Sequence, residues 1–285
     1  MKLPSFEYAA PTTIAEAVAL LAERGGEAKA IAGGQSLMPI LAFRLAAPTL
    51  LVDLRKIPGL DKITIGKDGV RLGAKTRWRD IQDDARLKTA HPLLVAAISH
   101  VAHYQIRNRG TVGGSLAHAD PAAEMPGIAV TCDAEITIVG KSGTRSQPAA
   151  KFLTGALSTS LKPDELITEV RLPPWPQGRR WGFEEFARRR GDFAMAGVAV
   201  FYDHDEHGRA KDPHIGVIGA ASHARRIPAA EAALNGRAVD ETTILAAAEA
   251  AAAGVDPSDD IHASAAYRRA LVATLVERAL KRAAA

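Results

Sequence analysis

The segment Ala30-Ile31-Ala32-Gly33-Gly34-Gln35-Ser36-Leu37-Met38-Pro39-Ile40 decides how this chain is built. It begins as a short apolar strand, breaks at two adjacent glycines and resumes at Ser36 as an apolar, helix-like run. A strand, a glycine turn and a helix start place successive backbone N–H groups around one concavity, which suits an anion. Glycine permits positive φ angles and close approach of a phosphate. The segment predicts a phosphate-binding loop, although an ordinary strand-to-helix turn has the same pattern.

The spacing of the glycines excludes two common nucleotide motifs. A P-loop has the pattern G-x-x-x-x-G-K-[ST], and no lysine follows Gly34. A Rossmann fingerprint has the pattern G-x-G-x-x-G, whereas these glycines are adjacent. The loop therefore suits a diphosphate that is held by backbone groups. Ser36 is placed either to cap the following helix or to donate its hydroxyl to the phosphate.

A second segment contains the same ingredients, and it runs Arg107-Asn108-Arg109-Gly110-Thr111-Val112-Gly113-Gly114-Ser115-Leu116-Ala117-His118-Ala119-Asp120-Pro121. Its paired glycines are flanked by hydroxyl side chains and followed by a carboxylate. Two such loops can enclose one dinucleotide. Asp120 can accept hydrogen bonds from a ribose hydroxyl, or it can cap a helix, because Pro121 suits a first helical position.

Composition narrows the function classes. The chain has 285 residues, of which 47% are hydrophobic and 24% charged, with a formal net charge of +4. Basic residues are interspersed with acidic ones, which argues against nucleic-acid binding. The single cysteine, Cys132, excludes a disulfide framework and a four-cysteine iron–sulfur cluster within this chain. Because the sequence has no apolar signal core at its start and no bilayer-long apolar run, we expect the cytoplasm.

The histidines do not predict a metal site. They are dispersed and show none of the spacings that are typical of metal ligands. His100 and His103 are predicted to share one helix face, but two ligands without a third are insufficient. We therefore predict no bound metal.

Residues 1–55 predict a small β-α-β-α-β layer. Strands are expected at Ala28–Ile31 and at Leu50–Leu54, and a helix between Thr13 and the Gly25-Gly26 pair. The phosphate-binding loop then lies at the carboxyl end of a strand, which is where such sheets bind ligands.

The rest of the chain predicts two further units, separated by a proline-rich linker. Residues 56–174 alternate in the manner of an antiparallel sheet with helices, one of them capped by Thr76 and running to Arg86, and a strand is expected at Leu166–Leu172. Residues 178–285 predict a three-stranded sheet against a small helical bundle. The bundle includes helices at Glu241–Ala253 and Ala265–Ala284.

The two glycine loops, in this order and at this separation, resemble those of the FAD-binding medium subunits of the molybdenum hydroxylases. That group includes carbon monoxide dehydrogenase, xanthine dehydrogenase and the bacterial N-heterocycle dehydrogenases. The similarity covers essentially the whole chain and continues at Arg188–Phe193 and Ser258–His262. The second loop is most similar to quinoline- and nicotine-type enzymes. Carbon monoxide dehydrogenase has Asn where Ser115 stands and Asn-Gly-Asp where His118-Ala119-Asp120 stands.

This resemblance implies a fold, a cofactor and partners. The fold is the α+β FAD-binding fold of the vanillyl-alcohol-oxidase/UDP-sugar-reductase type. The function is that of a flavoprotein oxidoreductase subunit, which passes electrons from iron–sulfur clusters through FAD to an external acceptor. Molybdopterin is expected in a large partner subunit and two-iron clusters in a small one, often as a dimer of heterotrimers. No side chain of this chain is assigned as a nucleophile or general base.

The resemblance also implies the residues that contact FAD. They come from both glycine loops and their flanks: Ala32, Gly33, Gly34, Gln35, Ser36, Leu37, Ile106, Thr111, Gly114, Ser115, His118, Asp120, Glu124, Leu166, Arg188 and Phe193. The two loops would hold the diphosphate from opposite sides. The carboxylates of Asp120 and Glu124 would bind ribityl or ribose hydroxyls. Ile106 and Leu166 would pack on the adenine or on the ring system.

Two features near Arg188 carry alternative interpretations. Phe193 stands where the carbon monoxide dehydrogenase pattern has a tyrosine near the flavin ring. We expect it either to stack near the isoalloxazine or to pack in the core at the start of a strand. The cluster Arg188–Arg190 is either a solvated surface or a group that binds the cofactor and docks a partner subunit.

Two other functions fit parts of the sequence. A stand-alone FAD-dependent oxidoreductase of the same fold would need its own acid or base beside the flavin, and no such motif is present. A non-enzymatic nucleotide-binding or assembly subunit would fit the glycine loops. It would explain neither their pairing nor the similarity over nearly the full length.

Overall fold

The computed structural model of the chain describes residues 2–285, so Met1 of the predicted first segment lies outside the described residues. The strands are β1 (Glu7–Ala9), β2 (Ala28–Ile31), β3 (Leu50–Asp53), β4 (Ile63–Gly66), β5 (Gly69–Gly73), β6 (Glu135–Gly140), β7 (Gly143–Pro148), β8 (Leu153–Gly155), β9 (Ser158–Thr159), β10 (Leu166–Leu172), β11 (Arg180–Phe186), β12 (Ala196–His204), β13 (Ala210–Ile218) and β14 (Arg225–Arg226). The helices are α1 (Ile14–Arg24), α2 (Leu37–Ala42), α3 (Trp78–Asp83), α4 (Leu87–Ala90), α5 (Pro92–Ile98), α6 (Tyr104–Arg107), α7 (Val112–His118), α8 (Glu124–Thr131), α9 (Ala149–Phe152), α10 (Pro228–Leu234), α11 (Glu241–Ala253) and α12 (Ala265–Ala284).

A three-stranded parallel sheet forms the first layer, in the order β1-β3-β2. Helix α1 begins at Thr13, whose side chain accepts a hydrogen bond from the Glu16 N–H, and it ends at Gly25, which has a φ of 54°. Val18 and Leu21 are buried on the inner face of the helix. This layer matches the predicted β-α-β-α-β order and carries the first glycine loop between β2 and α2.

A five-stranded antiparallel sheet forms the second layer, in the order β4-β5-β10-β6-β7. Its central strand β10 covers the predicted residues. The prediction for Thr76 is wrong: helix α3 has Arg77 at its N-cap and ends at Asp83. The Asp80 carboxylate accepts a hydrogen bond from the Arg77 N–H at 3.0 Å. Thr76 is instead buried, because the neighbouring Arg77 pairs with Thr111 of the second glycine loop.

A four-stranded sheet forms the third layer, in the order β11-β12-β13-β14; helices α10 and α12 pack against it, and α11 packs on α10 and α12. The prediction of three strands is therefore wrong. The fourth strand is the two-residue edge strand β14, which pairs with Gly216 and Val217 of β13. Two residues are too few for an alternating pattern, which is why the sequence does not reveal this strand. Helices α11 and α12 have the predicted bounds.

Two histidines lie outside the helix to which they were assigned. Helix α5 ends at Ile98, so His100 follows its end, and His103 is the N-cap of α6. They do not share a helix face. None of the helices within residues 2–285 is long and apolar enough to cross a membrane.

Candidate functional site

The first glycine loop touches the second. Gly34 adopts a φ of +70°, which favours glycine. A Cβ at Gly33 would lie 2.0 Å from the carbonyl oxygen of Arg109, so the backbones of the two loops are in direct contact. The Arg109 Nε also donates a hydrogen bond of 3.5 Å to the Gly33 carbonyl oxygen. The two loops therefore form one surface from distant parts of the sequence.

The first loop presents unpaired backbone donors. Within residues 2–285, the consecutive N–H groups from Gly33 to Leu37 have no acceptor. Ser36 occupies the N-cap position of α2, but its φ of −102° and ψ of −45° are helical, and its hydroxyl makes no capping hydrogen bond. Unpaired N–H groups and a free hydroxyl at a helix start suit an anion. The capping alternative for Ser36 is therefore wrong.

The second loop uses its N–H groups to fix its own position. The Val112 N–H donates to the Thr76 carbonyl oxygen at 3.0 Å, and the Gly113 N–H donates to the Ala74 carbonyl oxygen at 2.8 Å. The Gly114 N–H donates to the Thr111 hydroxyl at 3.2 Å. The two loops thus differ in their chemistry. The first offers backbone donors to a ligand, and the second offers hydroxyl side chains on a rigid support.

The two carboxyl residues that follow the second loop, Asp120 and Glu124, line the same cavity. Asp120 Oδ1 accepts a hydrogen bond of 2.8 Å from the Ala122 N–H, which holds a turn before α8. Helix α8 itself begins at Glu124 with Ala123 at its N-cap, so Asp120 is not the helix cap. Burial raises the pKa of Glu124 to about 7, and the negative charge of Asp120 raises it further in the same direction.

One large cavity collects the predicted site residues. It has a volume of about 1690 Å³ and is lined by all sixteen residues predicted to contact FAD. Drug-sized ligands occupy roughly 300–1,000 Å³, so this cavity suits a dinucleotide. Phe193 lies at the cavity and is 74% exposed, which makes the alternative of core packing wrong. That FAD contacts each of the sixteen residues stays a prediction.

Arg268 is a cavity residue that sequence analysis missed. Its guanidinium is buried and donates hydrogen bonds to the carbonyl oxygens of Met195 at 2.6 Å and Gly219 at 2.7 Å. It also pairs with the Asp260 carboxylate at 2.6 Å. The Arg268 guanidinium, together with the backbone N–H groups of Ala263 and His262, lowers the pKa of Asp260 to about 2. The motif Ser258–His262 pointed to this segment, but its arginine partner on α12 has no pattern in the sequence.

Cys132 is buried at the end of α8, and burial raises the pKa of its thiol. Within residues 2–285, no group of three or more His, Cys, Asp or Glu side chains is arranged to hold a metal ion.

We expect the Ser36→Ala variant to bind FAD about tenfold more weakly, because a hydrogen bond to a charged group contributes about 1.5–3 kcal/mol. Stability should change little, since the hydroxyl caps nothing. Flavin fluorescence titration and urea unfolding measure the two effects. Thr13→Ala is the matched control, because its hydroxyl does cap a helix. It should lose about 1 kcal/mol of stability with unchanged FAD affinity. The reverse outcome would return Ser36 to a capping role.

Family models cover nearly the whole chain. Residues 4–175 match the FAD binding domain in molybdopterin dehydrogenase. Residues 181–283 match the carbon monoxide dehydrogenase flavoprotein C-terminal domain. The boundary between the two matches falls in the proline-rich linker that separates β10 from β11.

Related proteins and solved structures align over their full length. The chain is 42% identical to the 6-hydroxypseudooxynicotine dehydrogenase complex subunit alpha of Paenarthrobacter nicotinovorans, over 99% of this chain and 96% of that protein. It is 41% identical to the nicotine 6-hydroxylase medium subunit of the same organism, over 100% and 99%. The structure is similar to carbon monoxide dehydrogenase from Hydrogenophaga pseudoflava, with a TM-score of 0.96, 38% identity and coverage of 99% and 98%.

Quinoline 2-oxidoreductase from Pseudomonas putida 86 is similar to the same degree, with a TM-score of 0.94, 38% identity and coverage of 100% and 98%. The paired loops, the cavity and both family matches now agree on one cofactor, and the relatives are oxidoreductase subunits. The chain belongs to the FAD-binding medium subunits of the molybdenum hydroxylases, the family of carbon monoxide dehydrogenase and xanthine dehydrogenase, and its cofactor is FAD.

Proposed function

We propose that this chain passes electrons from the iron–sulfur clusters of a small partner subunit, through FAD, to an external acceptor. A large partner subunit with a molybdopterin cofactor would hydroxylate the substrate. The observation that carries the proposal is the run of unpaired N–H groups from Gly33 to Leu37, a segment that lines one large cavity together with the second glycine loop. FAD would supply the redox chemistry, since a flavin can accept and release two electrons.

The residues of the cavity would bind and orient the cofactor. The unpaired N–H groups and the Ser36 hydroxyl suit the diphosphate, because they complement negative charge without a lysine or a metal. Asp120 Oδ2 and the carboxyl of Glu124 suit sugar or ribityl hydroxyls. At neutral pH, Glu124 is partly protonated, so it can donate as well as accept a hydrogen bond. Ile106 and Leu166 supply apolar surface for a ring.

We propose that the substrate of the complex is a small N-heteroaromatic compound. The support is the identity of 42% and 41% to two subunits whose names refer to pseudooxynicotine and nicotine, against 36% to a carbon monoxide dehydrogenase medium chain. The three segments 1–55, 56–174 and 178–285 remain our proposal for the units of the chain. We also propose the cytoplasm as its location.

The purified complex tests this function. With an N-heteroaromatic substrate, we expect flavin bleaching in the complex, and cluster reduction without acceptor turnover once FAD has been removed. The isolated chain with FAD should not be bleached by the substrate. Bleaching of the isolated chain would favour a stand-alone oxidoreductase. Bound FAD that is never reduced in the complex would favour an assembly subunit.

We expect Phe193→Tyr to shift the reduction potential of the bound flavin and the rate with small acceptors. Phe193 is exposed at the cavity, and a tyrosine hydroxyl adds a hydrogen bond that stabilises one redox state over the other. A difference of about 1.4 kcal/mol between the two states corresponds to about 30 mV for a two-electron couple. Spectroelectrochemistry and stopped-flow reoxidation measure both. Phe186→Tyr is the control, since Phe186 is exposed but does not line the cavity. Identical values in all three proteins would remove Phe193 from the flavin environment.

A further inference from the structure

Two carboxyl groups lie where α8 packs on the third sheet. Glu124 begins α8 and lines the FAD cavity, and Glu185 belongs to β11 and has a side chain only 3% exposed. The Glu185 Oε2 atom is buried, and within residues 2–285 it has no hydrogen-bond partner. The His100 Nδ1 atom lies 4.0 Å from Oε1, beyond hydrogen-bond distance. Glu185 is therefore a buried carboxyl without a compensating donor.

Close packing keeps this region dry. Gly197 stands opposite Glu185 in the sheet, and a Cβ on it would lie 3.5 Å from the Glu185 Cγ and 2.8 Å from the Ile218 side chain. One turn into α8, a Cβ on Gly127 would lie 2.6 Å from Ile218. Glycine at both positions lets the helix and the sheet approach closely. A charge on Glu185 would thus gain little hydration.

The surroundings favour the protonated carboxyls. Burial raises the pKa of Glu185 to about 8, and the nearby Glu124 acts in the same direction. Burial raises the pKa of Glu124 to about 7, with a smaller contribution from Asp120. The two carboxyls are close enough to interact electrostatically, so their protonation is best described for the pair.

Cations near the pair do not offset it. Burial lowers the pKa of His100, and Arg190 and Arg282 lower it further, so His100 is neutral at pH 7. Arg282, on α12, is engaged with Glu184 at 2.8 Å. Arg268, also on α12, is bonded to Asp260 and to two backbone carbonyls.

We propose that Glu124, in the wall of the FAD cavity, and the buried Glu185 form a proton-holding pair, which takes up a proton from solvent when the anionic cofactor binds. The inference rests on the proposed contact between FAD and the Glu124 side of the cavity. The diphosphate brings two negative charges into the cavity that Glu124 lines. Negative charge raises the proton affinity of a carboxyl, and no bond to the cofactor forms or breaks.

The direction of the pH dependence follows from the coupling between proton binding and FAD binding. Because binding raises the pKa of the pair, the bound form holds more protons, and affinity for FAD falls as pH rises through the pKa of the free chain. For a rise of half a unit to one unit, we expect the Kd to increase about three- to fivefold between pH 7 and pH 9. Quenching of flavin fluorescence by the full apo chain measures it.

Two variants isolate the pair. Glu185→Gln keeps the shape of the side chain and leaves only Glu124 to titrate, so the rise in Kd should be centred about one pH unit lower than in the wild type. Glu249→Gln is the control, because Glu249 is exposed on α11 and does not line the cavity, and it should behave as wild type. A Glu185→Gln chain with the full wild-type dependence overturns the proposal, and so does a wild-type Kd that is constant over this range.

Wild-type protein alone supplies a second measurement, should Glu185→Gln fail to fold. Calorimetry at pH 8 in two buffers with different ionisation enthalpies should reveal net proton uptake on FAD binding. Difference infrared spectra should gain a protonated-carboxyl C=O band. FAD bound without proton uptake overturns the pair and leaves the FAD site intact. A chain that binds no FAD at any pH overturns the site and, with it, the role of the pair.

Discussion

Replacing Gly33 by alanine is expected to weaken FAD binding more than a hundredfold, which is about 3 kcal/mol. The new Cβ would lie 2.0 Å from the Arg109 carbonyl oxygen and 2.7 Å from its carbonyl carbon. These are backbone atoms at the joint of the two glycine loops, so the loops must separate. Separation would misdirect the unpaired N–H groups that begin at Gly33. Flavin fluorescence titration and the flavin content of purified protein measure the effect.

Gly155→Ala is the matched control for this substitution. A Cβ at Gly155 would meet only the Ser158 Cβ at 3.9 Å, an ordinary contact, and this glycine does not line the cavity. Its FAD affinity should equal that of wild type. If Gly33→Ala retained its FAD with comparable affinity, the contact between the loops would not determine the cofactor site.

Replacing Arg268 by glutamine is expected to lower the free energy of unfolding by about 3 kcal/mol, the low end of the range for a broken buried ion pair. The low end applies because Asp260 is 45% exposed and can be rehydrated. The loss also leaves the carbonyl oxygens of Met195 and Gly219 without their donor. Urea unfolding followed by tryptophan fluorescence measures the change.

Arg269→Gln is the control, because Arg269 is the next residue on α12 and is exposed. It should leave stability within about 0.5 kcal/mol of wild type.

Acid titration adds a second test of Arg268. The depressed pKa of Asp260 stabilises the fold above its ordinary value of 3.8, and this contribution disappears as pH falls to about 2. Arg268→Gln should lose the part of that dependence that the guanidinium supplies, while the N–H groups of Ala263 and His262 retain the rest. Equal stability of both variants would show that Arg268 holds nothing in place.

Elements with long, regular patterns of apolar residues could be predicted from the sequence. Elements that depend on pairing with a distant segment could not. Helices α11 and α12 and strands β2 and β10 have the expected bounds because apolar periodicity and clear ends mark them. The predicted helix cap at Thr76 was wrong because a tertiary contact, the bridge between Arg77 and Thr111, places Thr76 in the core. Strand β14 was not predicted because its two residues form a strand only by pairing with β13.

The candidate site shows the same division. Glycine spacing predicted both loops, since a position where two backbones approach closely requires glycine. The glycine spacing did not predict that the Gly113 N–H would donate to the Ala74 carbonyl oxygen. Nor did it predict that the Gly33 N–H would have no acceptor within residues 2–285. Arg268 and Glu185 were missed because each acts through residues distant in the sequence. Only coordinates bring such partners together.

The hydrogen bonds made by Arg268 limit when, during synthesis, the protein can bind its cofactor. One wall of the cavity depends on a guanidinium in the last helix, and another on a contact between Gly33 and Arg109, which are 76 positions apart. Domains form progressively during synthesis, beginning at the N-terminus. The glycine loops therefore emerge from the ribosome long before the helix that completes their surroundings. We therefore expect stable binding of FAD only after α12 has been synthesised and has packed.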